Sequence, residues 1–222
     1  LTQGAPAHVI NATTAIPAGA AVPDVKTVSA SWPVGCSAIT LTASDDHSVN
    51  LFEPSITFEK TGDPLSKIGD PTDYTITLTN TSAADTPDLT CTVTDTAIGV
   101  SDTVTLAAGD PAYVINATAA IPADASDPYT NTADVSCSVA GFPNVLTASA
   151  SHDVNLFDPS ITFDKTGDPL SKIGDPTDYV ITLNNTSSAD TPDMECTITD
   201  AMLGVNKSVT LASGASDVTE VN

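Results

Sequence analysis

Three residues carry the most specific chemistry in this sequence. Lys60 shares the alternating parity of Ile56 and Phe58, Asp95 that of Cys91 and Val93, and Asn131 that of Ala133 and Val135. An apolar parity is a buried one, and a charge placed there needs a partner. Lys60 and Asp95 are therefore expected to form a buried ion pair near one end of the fold. A lysine amine beside an asparagine carboxamide can also condense with it to an isopeptide bond, with an acid as catalyst. Lys60, Asp95 and Asn131 are candidates for that reaction.

The cysteines come next. Cys91 and Cys137 both lie on the apolar parity of their segments. A buried disulfide between facing strands is the economical reading, and its long loop makes it worth about 2–4 kcal/mol. Free buried thiols are the competing reading. No metal spacing such as Cys-x-x-Cys is present. Cys36 and Cys196 are expected to find partners outside the chain.

Other candidates are less specific. Asn11, Asn80, Asn116, Asn184, Asn185 and Asn206 each begin an Asn-x-Ser/Thr triplet and are candidate glycosylation sites. Asn80 and Asn185 are expected in a turn that an enzyme could reach. In a Thr-rich chain such triplets also arise by chance. Glu53, Glu59, Asp63, Asp70 and Asp73 form one acidic cluster, and Asp158, Asp164, Asp168, Asp175 and Asp178 another. Such carboxylates could hold Ca²⁺. No EF-hand or nonapeptide signature accompanies them, and acids beside proline in turns have an ordinary structural role, which is the favoured reading. His8, His47 and His152 stand without a metal or catalytic spacing. No phosphate loop or nucleophile elbow appears, so no enzyme activity is expected and no cofactor beyond the calcium candidate.

These residues sit in a repeat. SITFEKTGDPLSKIGDPTDY at Ser55–Tyr74 returns at Ser160–Tyr179 with Glu59 replaced by Asp164, an offset of 105 residues. The same offset takes Cys91 to Cys196, Asp95 to Asp200 and Leu106 to Leu211, and carries Ile10-Asn11-Ala12-Thr13 to Ile115-Asn116-Ala117-Thr118. A fixed period of this kind marks a tandem array. The expected division is 1–54 as the end of a first unit, 55–159 as a complete one and 160–222 as the start of a third. Leu1 is then equivalent to Leu106, so the chain is expected to begin inside a longer polypeptide. Lys26 stands at the equivalent of Asn131, which argues against a crosslink common to all units. Trp32 stands at the equivalent of Cys137, and Cys36 at that of Gly141.

Within 55–159 short runs alternate with period two between turn signals, the pattern of strands with one buried face. About seven are expected. They are a run at Ile56–Lys60, Tyr74–Leu78, Leu89–Asp95, Val100–Leu106, Ala112–Ile121, Ala133–Val139 and Val145 to near Phe157. Gly-Asp-Pro and Thr-Pro-Asp supply turns. No helical period persists. The expected fold class is all-β, with tandem immunoglobulin-like β-sandwiches. Units meet at Phe52-Glu53-Pro54-Ser55 and Phe157-Asp158-Pro159-Ser160, without a Gly/Ser spacer, so the joints should be short and stiff.

Composition narrows the partners. The chain has 28 acidic and 6 basic residues, a net charge of −22. Such a surface repels phosphate backbones and anionic lipid heads, so neither nucleic acid nor membrane contact is expected. No run of about 20 apolar residues could span a bilayer. Aromatic residues are only 5%, most on core parity, which favours a scaffold over a binder.

The order ITFEKTGDP, DYTITLTNTS, CTVTD, LAAGD, TNTADVSC resembles the immunoglobulin-like "conserved repeat domain" of bacterial and archaeal surface proteins, the domain of unknown function eleven and its relatives. The most specific marks are Lys60-Thr61, Tyr74-x-Ile76-x-Leu78-x-Asn80, Thr94-Asp95 and Asn131-Thr132-Ala133. The resemblance implies a secreted, surface-attached protein of many repeats, with no catalytic activity. The chain is thus read as a structural segment of a long extracellular protein, forming a rod, stalk or filament. Its expected partners are neighbouring repeats and copies of itself in a filament or surface layer. The alternative is an adhesin module contacting glycans or a partner protein.

Overall fold

A computed structural model describes residues 6–33 and 40–221, and among these there is strand but no helix. Cys36 lies outside the described residues. The first two strands, β1 (Asp24–Pro33) and β2 (Thr40–Val49), form an antiparallel pair with most side chains exposed.

The next eight segments build a well-buried body. They are β3 (Ile56–Gly62), β4 (Leu65–Ser66), β5 (Pro71–Asn80), β6 (Leu89–Asp95), β7 (Val100–Leu106), β8 (Tyr113–Ala120), β9 (Tyr129–Val139) and β10 (Val145–Leu156). One sheet has the order β3-β5-β8 and the other β4-β10-β9-β6-β7. All pairings are antiparallel except that of β4, which runs parallel to β10. The expected strands are present. The added one is β4, a two-residue run too short to show alternation.

Alternation explains the core. Along β5, Thr72, Tyr74, Ile76, Leu78 and Asn80 are buried, and along β9, Asn131, Ala133, Val135, Cys137 and Val139. Successive side chains on a strand point to opposite faces, so one face of each sheet turns inward. Ile76, Leu78, Leu89 and Val93 are almost wholly buried, each worth about 1.5–3 kcal/mol. Gly99 turns the chain between β6 and β7 at φ 72, a conformation that a side chain disfavours.

After β10 come β11 (Ile161–Gly167), β12 (Tyr179–Asn185), β13 (Met194–Asp200), β14 (Val205–Leu211) and β15 (Ser216–Val221). They form a β11-β12-β15 sheet and a β13-β14 pair. The β11–β12 register repeats that of β3–β5: Lys165 faces Ile181 as Lys60 faces Ile76. The likeness ends after Leu211. Tyr179 pairs with Val221, whereas Tyr74 pairs with Ala117, a slip of one residue. Gly214 N–H donates to the Asn185 carbonyl and Asn185 N–H to that of Ala215, which ties β15 to β12 one position early. A slip of one flips every side chain. Val218 is accordingly exposed, and Asp217 turns inward to Lys207 at 2.7 Å.

Candidate functional site

Lys60 on β3 reaches across from the three-stranded sheet to Asp95 at the end of β6. Both side chains are fully buried, and the Lys60 ammonium donates to the Asp95 Oδ2. Lys60 Nζ also lies 4.5 Å from the centroid of the Tyr74 ring, a cation–π contact. The second oxygen of Asp95, Oδ1, has no hydrogen-bond partner.

Asn131 completes the group. The β6–β9 register pairs Val93 with Val135 and Thr94 with Asp134, so Asn131 sits just past the end of the ladder on the same inner face as Asp95. It is 2% exposed, and neither Oδ1 nor Nδ2 has a hydrogen-bond partner. Buried carboxamides are seldom left so. Tyr74, Ile121, Val154 and Leu156 form an apolar cluster with Tyr129 packed against it. Burial, followed by the neighbouring Tyr129, pushes the Tyr74 phenol up to about 12. Asn131 is near enough to pull that value the other way, but no well-formed hydrogen bond joins them. Burial also raises Tyr129. Parity in the sequence marks Lys60, Asp95 and Asn131, but not the tyrosines that close the site. Tyr74 shares β5 parity with Ile76 and reads there as ordinary core.

Lys165 and Asp200 repeat the pair at 2.5 Å, with Lys165 4.8 Å from the Tyr179 centroid. Here the side chains are 40% and 18% exposed. Among the described residues β13 pairs only with β14. In the central sandwich β6 also pairs with β9, β3 lies against β10, and the pair is fully buried. The Lys165 ammonium holds the Asp200 carboxyl below its usual range.

Cys91 and Cys137 form a disulfide, with Cα atoms 4.0 Å apart. The bridge joins directly opposed residues of neighbouring strands β6 and β9 within one sheet, rather than strands facing across the core. Parity tells which face a cysteine occupies, not which strand lies beside it. Cys196 on β13 is a half-buried free thiol.

The sequons divide sharply. Asn80 is 4% exposed and Asn185 1%. Each donates from Nδ2 to a carbonyl, Leu106 or Leu211, and accepts at Oδ1 from the N–H of Ser82 or Ser187. They pin turns from inside, so the expectation of an accessible site fails at both. Asn11, Asn116 and Asn206 are exposed and Asn184 is half-buried.

The acidic clusters do not converge. Among the described residues no three of His, Cys, Asp and Glu come together as metal ligands. Asp63 accepts from the Asp73 N–H, Asp73 from the Thr118 hydroxyl, and Asp70 pairs with Lys67. Glu53 and Glu59 do not join them. His152 contacts the Asp63 carbonyl at 3.0 Å, a structural contact. A shallow groove on the outer face of the larger sheet is lined by Thr92, Thr94, Asp134, Ser136, Thr147 and Ser149 among others, and holds no aromatic ring. Trp32 on β1, Phe142 in the turn between β9 and β10 and Phe163 on β11 are exposed, at separate places in the fold.

The joints carry matching contacts. Asn50 donates from Nδ2 to Asp85 at 2.9 Å, and Asn155 to Asp190 at 2.6 Å. Immediately after each proline the chain is clamped again. Ser55 N–H donates to the Ser82 hydroxyl and Ser160 N–H to that of Ser187, each at 2.9 Å.

No family model and no curated protein matches the chain. Among solved structures it is similar to a CARDB domain from Pyrococcus furiosus, solved in complex with di-metal ions. That likeness has 16% identity and a TM-score of 0.32, and covers 46% of this chain and 88% of that one. The two packed sheets, with orders β3-β5-β8 and β4-β10-β9-β6-β7, make the chain an all-β protein built around an immunoglobulin-like sandwich.

Proposed function

We propose that this chain is a load-bearing segment of a long extracellular protein, in which sandwiches follow one another through stiff joints to form a rod, stalk or filament. The observation that carries the reading is the recurrence of one contact at both joints: Asn50 to Asp85 and Asn155 to Asp190. A proline and a clamped serine follow each. Short links held by side-chain contacts resist bending in a way that a flexible linker does not. The Cys91–Cys137 bridge supports an oxidising compartment outside the cytosol. The groove without aromatics and the scattered exposed rings give no platform of the kind that binding hot spots use.

Small-angle X-ray scattering of the full chain tests the joints. The chain should scatter as one elongated particle. The double variant Asp85→Ala/Asp190→Ala should keep its strand content and show a broader distance distribution. Identical, already flexible profiles for both proteins would overturn the stiff-joint reading.

A further inference from the structure

We infer that the central sandwich crosslinks itself, with Lys60 Nζ joined to Asn131 Cγ in an isopeptide bond formed under the action of Asp95. The inference rests on the sealed site alone and stands whether or not the chain forms a rod.

Three observations on different strands meet here. The Lys60 amine is fully buried and in contact with a single carboxylate. Asp95 keeps one oxygen free. The Asn131 carboxamide is buried on the same inner face as Asp95, near the Tyr74 ring that Lys60 Nζ also approaches, with neither polar atom engaged. A carboxamide held in place by hydrogen bonds would resist turning its carbonyl carbon to a nucleophile; this one is not held. Tyr74, Tyr129, Ile121, Val154 and Leu156 keep water out, so hydrolysis does not compete. Burial also penalises the ion pair itself, and the reaction removes both charges.

The steps balance. The Lys60 ammonium gives one proton to the Asp95 carboxylate and becomes a neutral amine. Its lone pair attacks Asn131 Cγ, and the carbonyl π electrons move to Oδ1. Asp95 passes its proton to Nδ2 as the Cγ–Nδ2 bond breaks, and one ammonia departs. Asp95 then takes the second proton from Nζ. The products are a neutral secondary amide, a neutral Asp95 and free ammonia. No oxidant or cofactor takes part. Proton transfer and positioning in an enclosed, dry site are established sources of rate.

The repeat supplies an internal control. Lys165 is exposed and Asp200 only partly buried, and no counterpart of Asn131 lies beside them among the described residues. Lys26 occupies the equivalent position on β1 and pairs with Asp24 at 3.0 Å. The chain should therefore lose one ammonia, not two.

Intact-mass measurement and peptide mapping of the folded, full chain test this. The expected result is a mass low by one ammonia beyond the disulfide, with Lys60 and Asn131 recovered in one branched peptide. Asp95→Ala should restore the unmodified mass. Asn131→Asp, which is nearly isosteric, should lose water in place of ammonia, and it decides the matter if Asp95→Ala does not fold. Unlinked Lys60 and Asn131 peptides from folded wild-type chain would overturn the proposal. So would a branched peptide joining Lys60 to Asp95 with loss of water, since Asp95 would then be the acyl donor.

Discussion

Asn80 sits at the end of β5 with its carboxamide facing inward, where it spans from the Leu106 carbonyl to the Ser82 N–H. Two backbone groups that leave their ladders are satisfied by one side chain. Truncation leaves both buried without partners, and an unmade buried hydrogen bond costs about 1–3 kcal/mol. Asn80→Ala should lower unfolding stability by about 2–4 kcal/mol in a denaturant titration. A change within about 0.5 kcal/mol would show that water enters the turn and replaces the side chain. The triplet at Asn80 looks the same in sequence as the triplet at exposed Asn116. The burial of the first depends on the β5 alternation continuing two residues past Leu78, to a polar side chain. Period-two reasoning places Asn80 on the inner face, but a motif search passes over that. Parity does the opposite for Lys60 and Asp95, placing each on the inner face before any partner is known.

At the scale of the strand, β3 owes its approach to β5 to a residue without a side chain. A Cβ on Gly62 would stand 2.6 Å from the Asp73 carbonyl oxygen, 2.9 Å from Tyr74 Cδ1 and 3.0 Å from His152 Cδ2. Gly167 meets the same crowding, 2.7 Å from the Asp178 carbonyl. Neither lies at positive φ, so the requirement is close packing and not backbone freedom. Gly62→Ala should push β3 from β5 just beyond Lys60 and cost about 1–3 kcal/mol, read from thermal unfolding. An unchanged melting temperature would mean that the strand end is slack. The strand positions are legible because β-branched residues alternate cleanly between Gly-Asp-Pro turns. What the sequence hides is neighbourhood. Cys91 and Cys137 lie side by side in one sheet because β6 and β9, distant in the chain, are adjacent in the strand order. The one-residue slip of β15 is hidden too, because it arises from backbone bonds between Gly214, Ala215 and Asn185 that follow no side-chain pattern.

At the scale of the molecule, charge governs how copies meet. With a net charge of −22 and pI near 4.1, two copies repel at neutral pH. The sheets nevertheless present open edges at β7 and β8, where strands can add. Raising ionic strength from about 0.01 M to about 0.15 M shortens the screening length from about 30 Å to about 8 Å. Self-association in sedimentation velocity should therefore increase with salt. Association that is strongest at low salt would point to attraction between opposite charges instead.

The disulfide has a mechanical consequence. Pulled from its two ends, the central sandwich is loaded through β3 and β10, and β6 and β9 lie between them in the chain. The Cys91–Cys137 bridge encloses a span of 46 residues that tension cannot draw out. At 3.3–3.6 Å per extended residue, about 150–165 Å of slack is withheld from a sandwich that gives way. A bridge that bears no force at rest thus sets the distance at which a torn link stops lengthening.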